Sequence, residues 1–364
     1  MTTAIQPTEA WPPRRPQVSV VLGFCRAPLE RLLDTLASVL AQQGVNLECL
    51  AVADGYPEPT VLRALQQLAR DDRRLRLVLQ PHAGLSRALI RGCRLARGVA
   101  IARVDVGDRL LPGRLQQQWG VLKQHPDCVL VTCGVACCGP DWEPLEADVQ
   151  PSPGPMLSQP LPQPPRWVNT LPPADGIAVD VPHHGAVMLR RSAYRRAGGY
   201  RAAFYYAQDW DLWYRMALQG RFAHCPQTLY ACRLFATGLS SRHWREQRQL
   251  AALALQLYQA RWHGECEAPW LAQAHLIRPQ PGAAEPLQGR RWPDPRRAEG
   301  AYFIGERLRR NGDRRCHRYL LQALVEAPWL VKAWTRLLQA AVLLPQCLPR
   351  NGSAHNSGSL ARSR

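Results

Sequence analysis

The chain has 364 residues, of which 46% are hydrophobic, and it carries a formal net charge of +18 at neutral pH. This length suits one domain of up to about 250 residues with an appended region, or two domains. The sequence contains no uncharged apolar run of about 18 residues, so it predicts no transmembrane helix. The N-terminal residues lack the apolar core of a signal peptide, and we therefore expect a cytoplasmic protein.

Arginine supplies nearly all of the positive charge, because lysine occurs only at Lys123 and Lys332. The arginines are spread along the chain and form no block, which disfavours nucleic acid as a partner. Weak attraction to an acidic membrane surface, or to a diphosphate, agrees better with this distribution. The cysteines are also scattered, many of them inside apolar segments, and this pattern favours buried free thiols over disulfides or a zinc site.

Strand and helix patterns alternate along residues 18–135, after a proline-rich segment (1–16) that we expect to be disordered. Apolar, β-branched segments predict strands, and apolar residues at helical spacing between them predict helices. The predicted strands cover residues 18–24, 47–55, 75–80, 99–105 and 128–135. The short links between strands and helices predict an α/β fold with a mostly parallel sheet flanked by helices.

Residues 139–175 are rich in proline and carry little pattern, so we interpret them as a long loop or insertion. The pattern resumes at residues 183–200 and in an aromatic-rich helix at 205–220. The first turn of that helix contains Asp209 and Asp211, where the helix dipole favours negative charge.

The chain beyond about residue 245 predicts mostly helices. Its last helices, separated by an Asn-Gly-Asp turn and by Pro328, resemble one tetratricopeptide-like hairpin, and a single copy does not make an array. We therefore expect a first domain (17–245), a helical extension (246–345) and a disordered tail (346–364).

Acidic residues stand at the ends of two predicted strands. Asp54 ends the second strand, and Asp105 and Asp108 follow the fourth. Because the carboxyl ends of parallel strands meet at one edge of a sheet, where ligands bind, we expect Asp54 and Asp105 to share a cleft. A carboxylate pair at such an edge can hold a hard divalent cation that neutralises a departing diphosphate. The chain has no P-loop motif. It also has no glycine-rich dinucleotide-binding turn after its first strand, so the sequence does not favour a hydride-transfer enzyme.

Seven short motifs occur in one order between residues 18 and 245. They are VSVVLGF (18–24), SVLAQ (38–42), VADG (52–55), GLSRAL (84–89), ARVDVGD (102–108), GGY (198–200) and AQDWDLWYR (207–215). In order and spacing they resemble the inverting glycosyltransferases of family 2, which have the GT-A fold. The resemblance implies a nucleotide-diphospho-sugar donor, a saccharide or lipid-linked saccharide acceptor, and a divalent cation, Mg²⁺ or Mn²⁺.

The resemblance also implies roles for individual residues. Asp54 matches the acid that contacts the nucleoside base, and Asp105 matches an acid near the ribose and the metal. Asp209 matches the catalytic base that deprotonates the acceptor hydroxyl. Arg87 is a further candidate for the nucleotide pocket, and Asp108 is a second candidate metal ligand beside Asp105.

Four places depart from the family's pattern. After the first strand, GFCR (23–26) stands where a proline and a Tyr/Asn pair are usual. Ala53 and Gly107 stand where acids are usual, and Gln208 stands where a glutamate is common. Asp108 is then the residue expected to reach the cation in place of an acid at position 107. These departures leave open an alternative function, a nucleotide-sugar-binding protein without transfer activity. A third possibility is a scaffold or interaction protein that acts through its helical C-terminus.

His184, Asp211 and Trp210 are candidates for the acceptor side of the cleft. Each has a structural alternative: a polar strand edge for His184, a helix-dipole partner for Asp211 and core packing for Trp210. Asp54 has the alternative of a turn former, and Asp108 that of a helix cap. A lipid-linked acceptor is compatible with a cytoplasmic enzyme that visits the inner face of the membrane.

Overall fold

A mixed nine-stranded sheet forms the centre of the first part of the protein in its computed structural model. The structure describes residues 15–145, 166–168, 182–236, 243–278 and 292–343. The strands are β1 (Val18–Phe24), β2 (Leu47–Asp54), β3 (Leu75–Gln80), β4 (Ala100–Arg103), β5 (Arg109–Leu110), β6 (Cys128–Cys138), β7 (Arg166–Val168), β8 (Met188–Arg190) and β9 (Arg221–Arg233). The helices are α1 (Leu29–Leu40), α2 (Pro59–Asp71), α3 (Leu85–Leu95), α4 (Arg114–Gln124), α5 (Arg191–Arg196), α6 (Gln208–Ala217), α7 (Trp244–Trp262), α8 (Ala268–Leu276), α9 (Pro295–Arg310), α10 (Cys316–Glu326) and α11 (Val331–Leu343).

The first four strands form the parallel half of the sheet, in the spatial order β3-β2-β1-β4. Every residue of β1 and β2 is buried, as expected for parallel strands that helices cover on both faces. The strands predicted at 18–24, 47–55, 75–80 and 99–105 are confirmed to within two residues at each end. The carboxyl ends of these strands therefore meet at one edge, as the sequence indicated.

The other half of the sheet contains antiparallel strands. β8 lies between β4 and β6 and runs antiparallel to both, whereas β6 and β9 are parallel to each other. β5 and β7 each pair antiparallel with β9. The α/β sheet flanked by helices is confirmed, with more antiparallel pairing than the sequence pattern indicated.

Strand β7 falls inside residues 139–175, where the sequence predicted a loop. A strand of three residues is too short to produce a periodic pattern, so the pattern could not reveal it. Most of the remainder of that segment, from residue 146 onward, lies outside the described residues, as do the predicted disordered tail and all but two residues of segment 1–16.

A buried carboxylate ties the amino ends of three parallel strands together. Glu48 in β2 is fully buried and accepts hydrogen bonds from Ser19 Oγ of β1 and from the Arg97 backbone N–H, both at 2.7 Å. Arg76 of β3 places Nη1 3.0 Å from the same carboxylate. Burial alone raises the pKa of Glu48, but these hydrogen bonds outweigh it and leave the pKa below its usual value. The network fixes the sheet at the end opposite the acids Asp54 and Asp105.

Helices α7 and α8 pack against α6. Tyr214 of α6 shares an apolar cluster with Leu253 of α7 and Ala274 of α8. The chain divides into two compact units between residues 291 and 292, so α7 and α8 belong to the first unit. The division thus lies well beyond the boundary that the sequence suggested at residue 245.

The described part of the second unit consists of α9, α10 and α11. Asp294 caps α9 by accepting hydrogen bonds from the backbone N–H groups of Arg296 and Arg297. Gly305 allows α9 and α10 to approach closely, because a side chain there would lie 3.0 Å from Leu320. The order of helix, turn, helix and further helix matches the sequence pattern. In the described residues, no helix is both long enough and apolar enough to cross a membrane.

The close packing of α3 on the sheet makes Gly92 a test of the fold. A Cβ at this position would lie 2.6 Å from Val21 Cγ1 of β1, so Gly92→Ala forces the helix and strand apart. We expect the variant to lose about 1–3 kcal/mol of unfolding free energy, the usual cost of overpacking, in urea denaturation.

Gly120→Ala is the matched control for that prediction, because Gly120 also lies inside a helix but has nothing within 4 Å of a Cβ. It should leave stability unchanged or raise it by up to about 1 kcal/mol, the helix-propensity gain of alanine over glycine. Equal stability of the two variants would contradict the close packing of α3.

Candidate active site

The ends of the parallel strands bring together residues that are far apart in sequence. Cys25 directly follows β1, Asp54 ends β2, His82 follows β3, and Asp105 follows β4. β1 is paired with both β2 and β4, and β2 is paired with β3, so all four residues lie along one edge of the sheet. This is the edge at which open α/β sheets bind ligands.

Asp54 holds the turn between β3 and α3. Its Oδ1 accepts hydrogen bonds from Gln80 Nε2 at 2.7 Å and from the Ala83 backbone N–H at 2.8 Å. Its Oδ2 accepts one from the Gly84 N–H at 2.8 Å and lies 2.9 Å from His82 Nδ1. The carboxylate is therefore almost fully buried and positions the start of α3, a larger role than that of a local turn former.

Arg87 lies in the first turn of α3, directly after the turn that Asp54 organises. Its side chain is exposed, and in the described part of the chain it forms no hydrogen bond or ion pair. A guanidinium in this position is free to meet an anionic ligand at the edge of the sheet.

Arg103 and Asp105 form an ion pair at the end of β4. Arg103 is almost fully buried, and its Nη2 lies 2.5 Å from Asp105 Oδ1. Its Nε and Nη1 are buried without a hydrogen-bond partner among the described residues. Burial raises the pKa of Asp105, but the charge of Arg103 and its hydrogen bond outweigh burial and leave that pKa below its usual value.

Tyr230 of β9 connects Asp105 to Asp108. Its hydroxyl donates to Asp108 Oδ2 at 2.6 Å and accepts from the Asp105 N–H at 3.2 Å. The other oxygen of Asp108 accepts from the Arg233 N–H at 2.8 Å. Burial, and then the charge of Asp105, raise the pKa of Asp108 to about 7, so this carboxyl is partly protonated at neutral pH.

These contacts separate the two acids that the sequence paired as metal ligands. Both oxygens of Asp108 already accept hydrogen bonds, and only 4% of the residue is exposed. The side chain of Asp105 is 38% exposed, and its Oδ2 accepts no hydrogen bond in the described residues. Asp105 therefore has a free oxygen that could bind a cation together with a diphosphate. The contacts of Asp108 instead suit a structural residue that supports the site from below, which we call the brace, better than an open metal ligand.

Gly107 adopts a backbone conformation that would be strained for the acid usual at this position. Its φ is +96°, and a Cβ there would lie 3.3 Å from the Phe235 ring. Its N–H donates to Thr35 Oγ1, which in turn donates to the Asp108 backbone carbonyl. The turn is thus fixed from α1, and a side chain at residue 107 would be both strained and obstructed.

Asp209 lies in the first turn of α6, next to a strained residue. Ala207, the N-cap, has a left-handed φ of +50°, a conformation that costs a non-glycine residue on the order of 1–3 kcal/mol and clusters at functional sites. Burial raises the pKa of Asp209 to about 6, and the negative charge of Asp105 acts in the same direction. Asp209 and Asp105 are therefore electrostatically part of one site.

His184, the first of the three acceptor-side candidates, is half-buried. His184 Nε2 lies 2.8 Å from the Tyr200 hydroxyl, and burial and the nearby Arg103 lower the pKa of His184 to about 3. The ring is therefore neutral and, through its electrostatic coupling to Asp105, belongs to the same site.

Asp211 and Trp210 have contacts that fit structural roles. Asp211 is buried, with Oδ2 paired to Arg215 at 2.5 Å and Oδ1 3.5 Å from Arg201. Trp210 packs against the apolar cluster that joins α6 to α7, and its ring contacts Tyr214. These contacts favour the alternatives that the sequence offered, an ion-paired helix acid and core packing, over contact with an acceptor.

Sequence reasoning missed Arg103 and Tyr230. Arg103 stands inside the motif ARVDVGD, so an arginine two residues before a strand-end acid was a visible signal. Tyr230 lies 125 residues beyond Asp105 in sequence, and nothing local to it indicates that its hydroxyl joins two acids.

A parallel half-sheet with acids along its carboxyl edge, and a further acid from a later helix, defines an α/β enzyme of the GT-A class. Residues 19–198 match the family model described as Glycosyl transferase family 2. The chain belongs to this family, and it is a glycosyltransferase.

Two curated relatives agree with this assignment. The chain is 28% identical over 222 residues to EpsE of Bacillus subtilis, whose name assigns it provisionally to the glycosyltransferases. This alignment covers 60% of this chain and 73% of EpsE. It is 28% identical over 242 residues to the O-antigen biosynthesis protein RfbC of Myxococcus xanthus. This alignment covers 66% of this chain and 18% of RfbC. A crystal structure of S. aureus TarS, residues 1–349, superposes with a TM-score of 0.48 at 13% identity, covering 89% of this chain and 88% of TarS.

Asp108 makes stability depend on pH. Its pKa lies near 3.8 in an unfolded chain and at about 7 in the fold, so the native state binds this proton more tightly. Its contribution to stability is complete below pH 3.8 and is lost as pH rises through 7. We therefore expect the unfolding free energy of the wild type, relative to Asp108→Asn, to fall between about pH 4 and about pH 7 in urea denaturation.

Asp127→Asn provides the control for that measurement, because the Asp127 side chain is 55% exposed and pairs only at the surface. Its stability relative to the wild type should stay nearly constant across the same pH range. A constant difference for Asp108→Asn as well would contradict the protonation of Asp108 in the fold.

Proposed function

We propose that the protein transfers a sugar, with inversion, from a nucleotide-diphospho-sugar to a saccharide or lipid-linked saccharide, and that Asp209 is the general base. The observation that carries this proposal is the position of Asp209 in the first turn of α6, within the same site as Asp105, where burial raises its pKa to about 6. A base is most effective when its pKa lies close to the working pH, because it is then mostly deprotonated yet still able to accept a proton.

Inversion at the anomeric carbon requires a single in-line displacement. The acceptor hydroxyl attacks from the face opposite the leaving diphosphate, and its proton must pass to a base on that face. Asp209 comes from α6, whereas Asp54 and Asp105 come from the strand ends, so the base and the donor-side acids belong to different elements. This arrangement supports an acceptor on the α6 side and a nucleotide along the strand edge.

The donor side is proposed to run from Asp54 to Asp105. Asp54 holds the β3–α3 turn, and Arg87 lies in the first turn of α3 directly after it. We assign the nucleoside end of the donor to these two residues. Asp105, held by Arg103, fits the ribose and diphosphate end. Neutral His184 lies close to that end and can donate or accept a hydrogen bond without adding charge.

The proposal includes a divalent cation, Mg²⁺ or Mn²⁺, for which Asp105 is the one protein ligand. Bound there with the donor diphosphate, the ion would offset the charge that develops on the leaving group. Because the chain offers one open carboxylate at this position, we expect the donor to supply most of the oxygen ligands.

Replacing Asp209 with Asn tests the base. The variant keeps the size and shape of the side chain but cannot accept the proton, so we expect transfer to fall by about 10²–10⁴ with the donor dissociation constant unchanged. In the wild type, kcat/KM should rise with pH through about 6, and this acid limb should be absent from the residual activity of the variant.

Asp211→Asn is the control, since it makes the same chemical change two residues along α6. It removes one partner of the buried pair with Arg215, so it should lower the thermal unfolding midpoint while folded protein keeps its pH profile. Native transfer by Asp209→Asn would overturn the assignment of the base. Donor binding with no transfer in the wild type, for any saccharide acceptor tested, would instead favour a binding protein.

A lipid-linked acceptor would bring the enzyme to the inner face of a membrane, and the net charge of +18 supports such a contact. We expect the protein to sediment with vesicles that contain anionic lipid, and not with neutral vesicles, at low ionic strength. Salt at about 0.5 M should release it, because surface electrostatics are screened. Equal sedimentation with both vesicle types would contradict the electrostatic contact.

A further inference from the structure

Three potential metal ligands meet at the ends of β1, β2 and β3. Cys25, Asp54 and His82 each offer one ligand atom, and these atoms all lie within 4.8 Å of one another. Among the described residues, this is the one group of three or more such side chains close enough to hold a metal ion. The register of the strands produces it, because Phe24 pairs with Ala53, and Asp54 pairs with Gln80, at neighbouring positions.

One distance within this group matches that expected around a tetrahedral zinc ion, and a second is shorter. Zinc binds sulfur at about 2.3 Å and imidazole nitrogen at about 2.0–2.1 Å, which places the two ligand atoms about 3.6 Å apart at a tetrahedral angle. Cys25 Sγ lies 3.6 Å from His82 Nδ1. His82 Nδ1 lies 2.9 Å from Asp54 Oδ2, somewhat closer than the roughly 3.3 Å of bound ligands. Only a small outward shift of the exposed His82 is needed.

The charge balance also favours a cation. Asp54 is 3% exposed, and its hydrogen bonds to Gln80, Ala83 and Gly84 come from neutral donors. No lysine or arginine pairs with it in the described part of the chain, and His82 is the one ionisable cation in contact with it. A buried carboxylate is costly without a compensating charge, and a metal ion supplies one.

We propose that Cys25, Asp54 and His82 form a Zn²⁺ site. The Cys25 sulfur binds as a thiolate, and its proton leaves to solvent; His82 binds through Nδ1 in its neutral form, with its proton on Nε2. Asp54 supplies Oδ2, which accepts one hydrogen bond, from the Gly84 N–H, and gives the metal the lone pair that now faces the exposed His82; among the described residues no such exposed partner contacts Asp108. Water completes the four-coordinate shell. Thiolate and imidazole select zinc over the harder Mg²⁺ and Mn²⁺, so this site is chemically distinct from a cation at Asp105.

The position of the site gives it a consequence for the enzyme. It lies at the strand ends assigned above to the nucleoside, so bound Zn²⁺ competes with the nucleotide; this consequence, unlike the metal site itself, rests on the proposed function. Zinc would then restrain transfer by occupying the donor cleft, and donor at sufficient concentration would reverse the effect.

Cobalt substitution tests the site in the full chain. Co²⁺ added to the metal-free protein should bind one equivalent and give the near-ultraviolet absorption of a thiolate–cobalt bond, and Zn²⁺ should displace it. Cys25→Ser should abolish this absorption and weaken Zn²⁺ binding by more than the roughly 10–100-fold that loss of an outer-shell partner costs. His82→Ala should weaken Zn²⁺ binding to a similar degree.

Cys266→Ser is the matched control, because Cys266 is the other exposed thiol among the described cysteines. It should bind cobalt and zinc as the wild type does. No thiolate absorption in the wild type, its persistence in Cys25→Ser, or its loss in Cys266→Ser would each overturn the site.

A second titration separates the metal site from the proposed function. UDP, GDP and dTDP are titrated calorimetrically into metal-free and zinc-loaded protein, with Cys25→Ser in parallel. We expect the nucleotide that binds the metal-free form to bind at least about 10-fold more weakly once zinc is present, and the variant to show no such change. Equal binding to both forms overturns the competition, whereas no nucleotide binding to either form counts against the proposed function and leaves the metal site standing.

Discussion

The site depends on one buried hydroxyl, that of Tyr230. It accepts from the Asp105 N–H and donates to the Asp108 carboxyl, so it holds the turn after β4 against β9. Gly185 leaves room for the ring, because a Cβ at that position would overlap the Tyr230 hydroxyl. The pairing of β9 with β6 and β5 places Tyr230 there, and the position of Asp105 thus depends on the mixed half of the sheet.

Three carboxyls of the site have pKa values that burial and charge move apart. Arg103 keeps the pKa of Asp105 below its usual value, while burial raises that of Asp209 to about 6 and that of Asp108 to about 7. Carboxyls with such different environments serve different roles in one site. In the proposed function, Asp105 is the anion on the donor side and Asp209 the base, while Asp108 is a partly protonated structural carboxyl.

The sequence predicted the parallel strands, and with them the shared edge of Asp54 and Asp105, because apolar periodicity and strand ends are local properties. It could not assign Asp108 and Asp211, since the same residue types serve as ligands, caps or ion-pair partners. The hydrogen bonds of Asp108 to Tyr230 and Arg233 come from chain segments more than 100 residues away, which no local pattern reports. Asp211 and Arg215 have the local i,i+4 spacing of a helical ion pair, and only the burial of that pair depends on the tertiary structure.

The sequence by itself determined the family, the order of the elements and which acids stand at strand ends, because these follow from motifs and periodicity along the chain. Only the tertiary structure decided which of those acids remain open. Burial and hydrogen bonding depend on neighbours more than 100 residues away, as with Tyr230 and Asp108, and they set whether a carboxyl is a ligand, a base or a brace. The same holds for Cys25 and His82, which become neighbours only because three parallel strands align their ends.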